Sequence, residues 1–204
     1  MTANYTLNVR NESTESGTFA IYQQDPNVNS PNTLTLAWLS AKAHPTTTIS
    51  FTWNTQMSFV WRRDIHAGET GQTWDAELVD QNEVTFTKDD GAYTFSDQRS
   101  SQGNVGSFMI VQDGTVVSHE AFVGMGMSGS PTFMIPSEPN LQATFTPAPK
   151  YYLMFSDVKA GDVMDAGILK TGQTDGKVFE VRFPNGKLES SVVYQGDGKW
   201  NVVS

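Results

Sequence analysis

Large apolar residues fall on alternate positions three times in the segment Thr33 to Trp61: Leu34, Leu36 and Trp38, then Ile49, Phe51 and Trp53, then Phe59 and Trp61. Side chains alternate across a β-strand, so each run predicts a strand with its bulk on one face and mostly Thr, Ser or Ala on the other. The breaks around Ala43-His44-Pro45 and Asn54-Thr55-Gln56 are short enough to join successive antiparallel strands. Three of the chain's five tryptophans lie here. The segment is therefore the expected hydrophobic centre, with Trp38, Phe51 and Trp53 buried between sheets and Leu36 in the core.

The same period of two runs through most of the chain. Tyr5, Leu7 and Val9 predict a first strand, the polar cluster Asn11–Gly17 a hairpin turn, and Thr18–Tyr22, apolar on both faces, a strand inside a sheet. Gln23–Asn32 reads as a loop and a candidate rim of a binding site. Asp90-Gly91 and Asp113-Gly114 each sit between strand-like runs and predict two further hairpins. In Glu120–Pro131 three glycines interrupt an apolar run, the mark of a bulge, a bend or a closely approaching backbone. Prolines 136, 139, 147 and 149 bracket Gln142–Phe145 and confine that strand to an edge or a connection. Further strands are expected at Tyr151–Phe155, Gly167–Lys170, Val178–Phe183, Ser191–Tyr194 and Trp200–Val203. An apolar period of 3.6 never persists for ten residues, so little helix is expected beyond a turn or two near Val158–Met164. The prediction is an all-β fold, an antiparallel β-sandwich or flattened barrel forming a single domain over 1–204, with 136–149 the one plausible boundary.

Composition narrows the function classes. The 204 residues contain no cysteine, which removes disulfides, thiolate–zinc sites and cysteine nucleophiles. A formal net charge of −9 with only 13 Lys and Arg counts against nucleic acid as a partner. No basic-then-apolar leader opens the sequence and no run approaches a transmembrane helix, so a cytoplasmic protein is expected, with non-classical release as the route outward. A second copy of the chain is admissible as a partner.

Several segments, Tyr5–Ser13, Leu36-Ala37-Trp38, Phe51-Thr52-Trp53, Phe59-Val60-Trp61 and Val123–Gly129, resemble the RhiA-type proteins, named for an abundant rhizosphere-expressed product of root-associated bacteria. The resemblance covers Tyr5 to about Phe155. It implies a soluble β protein of a microbe living near plant tissue, and it transfers no activity and no site residue.

Candidate chemistry is sparse. Asp64, His66 and the distant His119 are the groups from which a proton-transfer site would be drawn, set against their reading as solvated loop residues. No spacing matches a metal loop, so no metal and no cofactor is expected. Gly126-Met127-Ser128-Gly129 departs from the Gly-X-Ser-X-Gly pattern of a nucleophile elbow. Trp61, Trp74 and Tyr151 flank polar stretches and are candidates for stacking on a sugar ring, while Met125 and Met127 are candidates for a flexible apolar lining; core packing is the competing role of all five. The leading expectation is a non-catalytic binding protein that recognises a glycan or small amphipathic metabolite through an aromatic-lined cleft. The alternative is a cofactor-independent isomerase, cyclase or lyase acting on an apolar metabolite in an internal pocket.

Overall fold

The computed structural model describes residues 3–23, 32–65, 71–101, 103, 105–147, 149–165, 169, 177–184 and 186–203. Its strands are β1 (Asn4–Asn11), β2 (Gly17–Gln23), β3 (Leu34–Thr35), β4 (Leu39–Ala43), β5 (Thr48–Asn54), β6 (Met57–Arg62), β7 (Gly71–Ala76), β8 (Glu83–Asp89) and β9 (Ala92–Arg99). They continue as β10 (Phe108–Gln112), β11 (Phe122–Met127), β12 (Ser130–Pro136), β13 (Gln142–Phe145), β14 (Tyr151–Ser156), β15 (Val178–Val181), β16 (Glu189–Tyr194) and β17 (Trp200–Val202). The chain divides into two compact units. The first comprises Met1–Gln24, Ala37–Thr55 and Lys150–Ser204, the second Asp25–Leu36 and Gln56–Pro149. No helix of the described residues is long and apolar enough to cross a membrane.

The first unit packs the sheet β17-β16-β1-β5 on the sheet β15-β14-β2-β4. Its filling is aromatic. Trp53 of β5 lies 5.2 Å from Tyr151 of β14 and 5.5 Å from Trp38, and Phe19 of β2 lies 5.8 Å from Tyr194 of β16. Trp38, Phe51 and Trp53 are buried, as the alternation predicts. Interior β2 lies between β14 and β4, in line with its two apolar faces.

The turn after β1 makes no hairpin. β1 pairs with β5 and, in parallel, with β16, while β2 belongs to the other sheet. Asn11–Gly17 is thus an arch between layers, and the buried side chain of Asn11 holds it. Its Nδ2 donates to the Glu15 carbonyl at 2.8 Å, and its Oδ1 accepts the Ser13 amide at 3.0 Å and the Ser13 hydroxyl at 2.7 Å. A side chain that satisfies the arch's own backbone substitutes for the ladder a hairpin would provide.

The second unit packs β13-β10-β8-β9 on β3-β12-β11-β6-β7. Asp90-Gly91 makes the predicted hairpin, both residues at positive φ (48° and 82°), as a type I′ turn requires. Asp113-Gly114 does not. Asp113 Oδ1 accepts the Thr115 amide at 2.9 Å and its hydroxyl at 2.5 Å, a side-chain turn that ends the strand, and β10 pairs instead with β13 and, in parallel, with β8. The proline-bracketed β13 is an edge strand, as expected.

Two further expectations are corrected. Thr33–Trp38 is not one strand, because β3 ends at Thr35 and the chain leaves the second unit after Leu36. The Leu36 amide donates to the Thr132 carbonyl and the Ala37 amide to the Asp162 carbonyl, both at 2.9 Å. Residues 158–164 hold a turn at Ala160-Gly161 and no helix. The strand expected at Gly167–Lys170 lies, Leu169 apart, outside the described residues, as does most of the Gln23–Asn32 loop.

Candidate functional site

Strand register places the aromatic and methionine candidates of the second unit on one face. Met125 pairs with Phe59, Phe59 with Trp74, and Val123 with Trp61. That face is the inner one. Trp61 packs 6.0 Å from Phe86 and 5.9 Å from Tyr93, Trp74 packs 5.8 Å from Phe95, and both rings are partly buried against the core. Met125 and Met127 are buried. Tyr151 belongs to the first unit, where it stacks 5.9 Å from Trp38; burial raises its phenol above the ordinary tyrosine value.

The ionisable candidates occupy different surroundings. Asp64 is exposed, and His66 lies outside the described residues. His119 sits on a turn at φ 59° with 71% of its side chain exposed, and its Nδ1 is 3.8 Å from Glu138 Oε2. Such an imidazole is a solvated surface group. Among the described residues no three His, Asp or Glu side chains gather as a metal site would need.

Next to His119 lies an organised polar group that the sequence did not disclose. Tyr93 donates its hydroxyl to Glu120 Oε2 at 2.8 Å, and Lys88 pairs with the same oxygen while lying 5.2 Å from the centre of the Tyr93 ring. The hydrogen bonds from Lys88 and then Tyr93 hold the Glu120 carboxyl below its ordinary value. Burial, then the bond to Glu120, raises the Tyr93 phenol. The sign follows from linkage. A depressed carboxyl stabilises the fold above its unfolded value, about 4.3, and that contribution is lost as pH falls through the lower folded value. A raised phenol stabilises below about 10, and its contribution is lost as pH rises through the higher folded value. We expect Glu120→Gln to shrink the acid-side fall of the urea midpoint and Tyr93→Phe to shrink the alkaline-side fall. Unchanged limbs in both variants would deny the group any role in stability.

Two surface grooves accompany these elements. In the second unit Leu78, Val79 and Val105 flank a groove of about 360 Å³ over Asn82, Ser100 and Ser101. Its polar floor is already engaged: Asn82 Nδ2 donates to the Ser107 carbonyl, Asn82 Oδ1 accepts the Ser101 amide, and the Ser100 hydroxyl donates to the Val79 carbonyl.

The larger groove, about 730 Å³, lies in the first unit and is lined by Asn4, Thr6, Gly186, Lys187, Leu188, Glu189 and Ser191. Alternation builds it. Leu7 and Val9 of β1 point inward and are buried, so Asn4, Thr6 and Asn8 point outward, and the parallel register sets Thr6 beside Glu189 and Asn8 beside Ser191. On the other side Thr6 faces Thr52 and Asn8 faces Ser50. A chain of hydrogen bonds crosses the strands: the Ser50 hydroxyl donates to Asn8 Oδ1 at 2.6 Å, and Asn8 Nδ2 donates to Glu189 Oε1 at 2.8 Å. The wall is residues 186–188. The Thr6 amide donates to the Leu188 carbonyl at 2.8 Å, the Lys187 amide to the Pro184 carbonyl at 2.9 Å, and Gly186 takes φ 74°, where glycine carries no steric penalty. The lining residues therefore carry hydroxyls, an amide, a carboxylate and an ammonium. Sequence reasoning missed these residues. The available signal was the polar phase of β1, Asn4-Thr6-Asn8, uninterrupted by any apolar side chain.

Comparison with known proteins gives the chain its relatives. No solved structure matches it significantly. Protein RhiA of Rhizobium leguminosarum bv. viciae is 28% identical in an alignment that covers 97% of this chain and 85% of that protein. The RhiA family model matches residues 2–204, so the similarity continues through the last third and does not fade after Phe155. The chain belongs to the RhiA family.

Proposed function

We propose that the protein is a non-catalytic binding protein whose ligand is a polyhydroxylated small molecule or glycan, held in the groove on the outer face of β1 and β16. The observation that carries this reading is the lining: Asn4, Thr6, Lys187, Glu189 and Ser191 supply donors and acceptors together, and Leu188 is the one large apolar side chain among the described lining residues. Hydroxyls both donate and accept, so a ligand dense in them can satisfy such a mixed surface. The volume lies within the range of small-molecule sites, about 300–1,000 Å³. This moves the contact surface away from the expected aromatic cleft, because Trp61 and Trp74 pack against Phe86, Tyr93 and Phe95. The catalytic alternative gains no supporting contact from His119, which is solvated.

Thr6→Val tests the proposal by removing one groove hydroxyl at nearly constant volume. Binding of the best ligand from a glycan array should weaken about 3- to 10-fold, the worth of one hydrogen bond, with the thermal midpoint unchanged. Equal affinity for both proteins would place the ligand elsewhere.

A further inference from the structure

We infer that the groove selects a singly anionic polyhydroxylated ligand, a sugar acid of the uronate type, with its carboxylate at Lys187. This deepens the binding reading above and rests on it. Three observations carry it. First, among the described residues Lys187 is the only cation in the lining, and its ammonium makes no ion pair with any described carboxylate. The neighbouring arginines of this unit differ, since Arg10 is committed to Glu12 and Arg182 to Glu180. In a chain of net charge −9 with only 13 basic residues, an unpaired lysine beside a groove is a local attractor for a negative group.

Second, the one acid among the described lining residues is already half used. Glu189 Oε1 accepts Asn8 Nδ2 at 2.8 Å, which leaves Oε2 to accept a ligand hydroxyl. Thr6 and Ser191 stand on the same strand pair, Thr6 directly beside Glu189, so hydroxyls can be met along the sheet while the acid group is met at the wall. Third, that same Glu189 sets an upper limit on ligand charge. A phosphate monoester would bring up to two charges next to a carboxylate and find a single ammonium in return, whereas a carboxylate brings one charge that Lys187 balances. Like charges at close range oppose binding, and lysine acts on an anion as a point charge.

The test titrates the full chain at low salt with galacturonate, with its methyl ester and with galactose 6-phosphate, for the wild type and for Lys187→Gln. The acid should bind about five-fold more tightly than the ester, the size of one exposed ionic contact, and Lys187→Gln should abolish that preference. Raising the salt concentration should have the same levelling effect. Equal binding of acid and ester, unaltered in the variant, overturns the uronate inference and leaves the polyol groove standing. Tighter binding of the phosphate ester also overturns it. Binding of none of the three removes both readings.

Discussion

Gly124→Ala is expected to cost about 3 kcal/mol or more. Gly124 lies on β11, an interior strand held between β12 and β6. A Cβ built there would stand 2.0 Å from the Phe133 carbonyl oxygen and 2.8 Å from the Met134 Cα, both main-chain atoms of β12. No rotamer change relieves a clash with backbone, so β12 must move out of register. The ladder is already irregular here, with a shift between Met125 and Gly126. Gly114→Ala serves as the control, because its added carbon would meet only the Asn140 side chain, at an ordinary 3.4 Å. Urea unfolding should show a large loss for Gly124→Ala and little for Gly114→Ala; a loss below about 1 kcal/mol for Gly124→Ala would mean that β11 and β12 do not approach as described.

Leu36→Ala is the second large effect, about 2–5 kcal/mol. Leu36 is fully buried and its amide is tied to the Thr132 carbonyl at 2.9 Å, so the backbone holds the side chain in place and the site cannot collapse freely around a smaller one. Cavity-forming truncations are costly for that reason. Chemical denaturation reporting less than about half a kcal/mol would place Leu36 at the surface.

Local features of this fold were legible where one residue type permits one conformation. Asp90-Gly91 announced its hairpin through the two positive φ angles that a type I′ turn needs. The glycines of β11 announced the shift and the close backbone, and the prolines around β13 announced an edge. Leu7 and Val9 went inward because alternation leaves them no other face.

What escaped the sequence is long-range pairing. β1 lies beside β16 in parallel, and β10 beside β8, with no turn between partners to advertise the register. Because Asn11–Gly17 has turn composition, it passed for a hairpin, whereas the hydrogen bonds of Asn11 make it an arch. Thr33–Trp38 has flawless alternation yet contributes two residues to a strand, since periodicity records which residues seek burial and not which sheet receives them. The candidate groove escaped for the same reason. Its two halves, Asn4 and Thr6 on one side and Lys187 to Ser191 on the other, are joined only by the parallel register, and neither half carries the aromatic or acid–base residues that draw attention in a sequence.

The most direct test of the binding account is a chemical-shift titration of the isotopically labelled chain with galacturonate, reading backbone amides and tryptophan indoles together. The account predicts perturbations concentrated at Thr6, Lys187, Glu189 and Ser191, with the Trp61 and Trp74 indoles unmoved because those rings pack against the second unit's core. Shifts centred on the Trp61 and Trp74 indoles, or on Val79 and Val105, with the β1 and β16 amides silent, would contradict it.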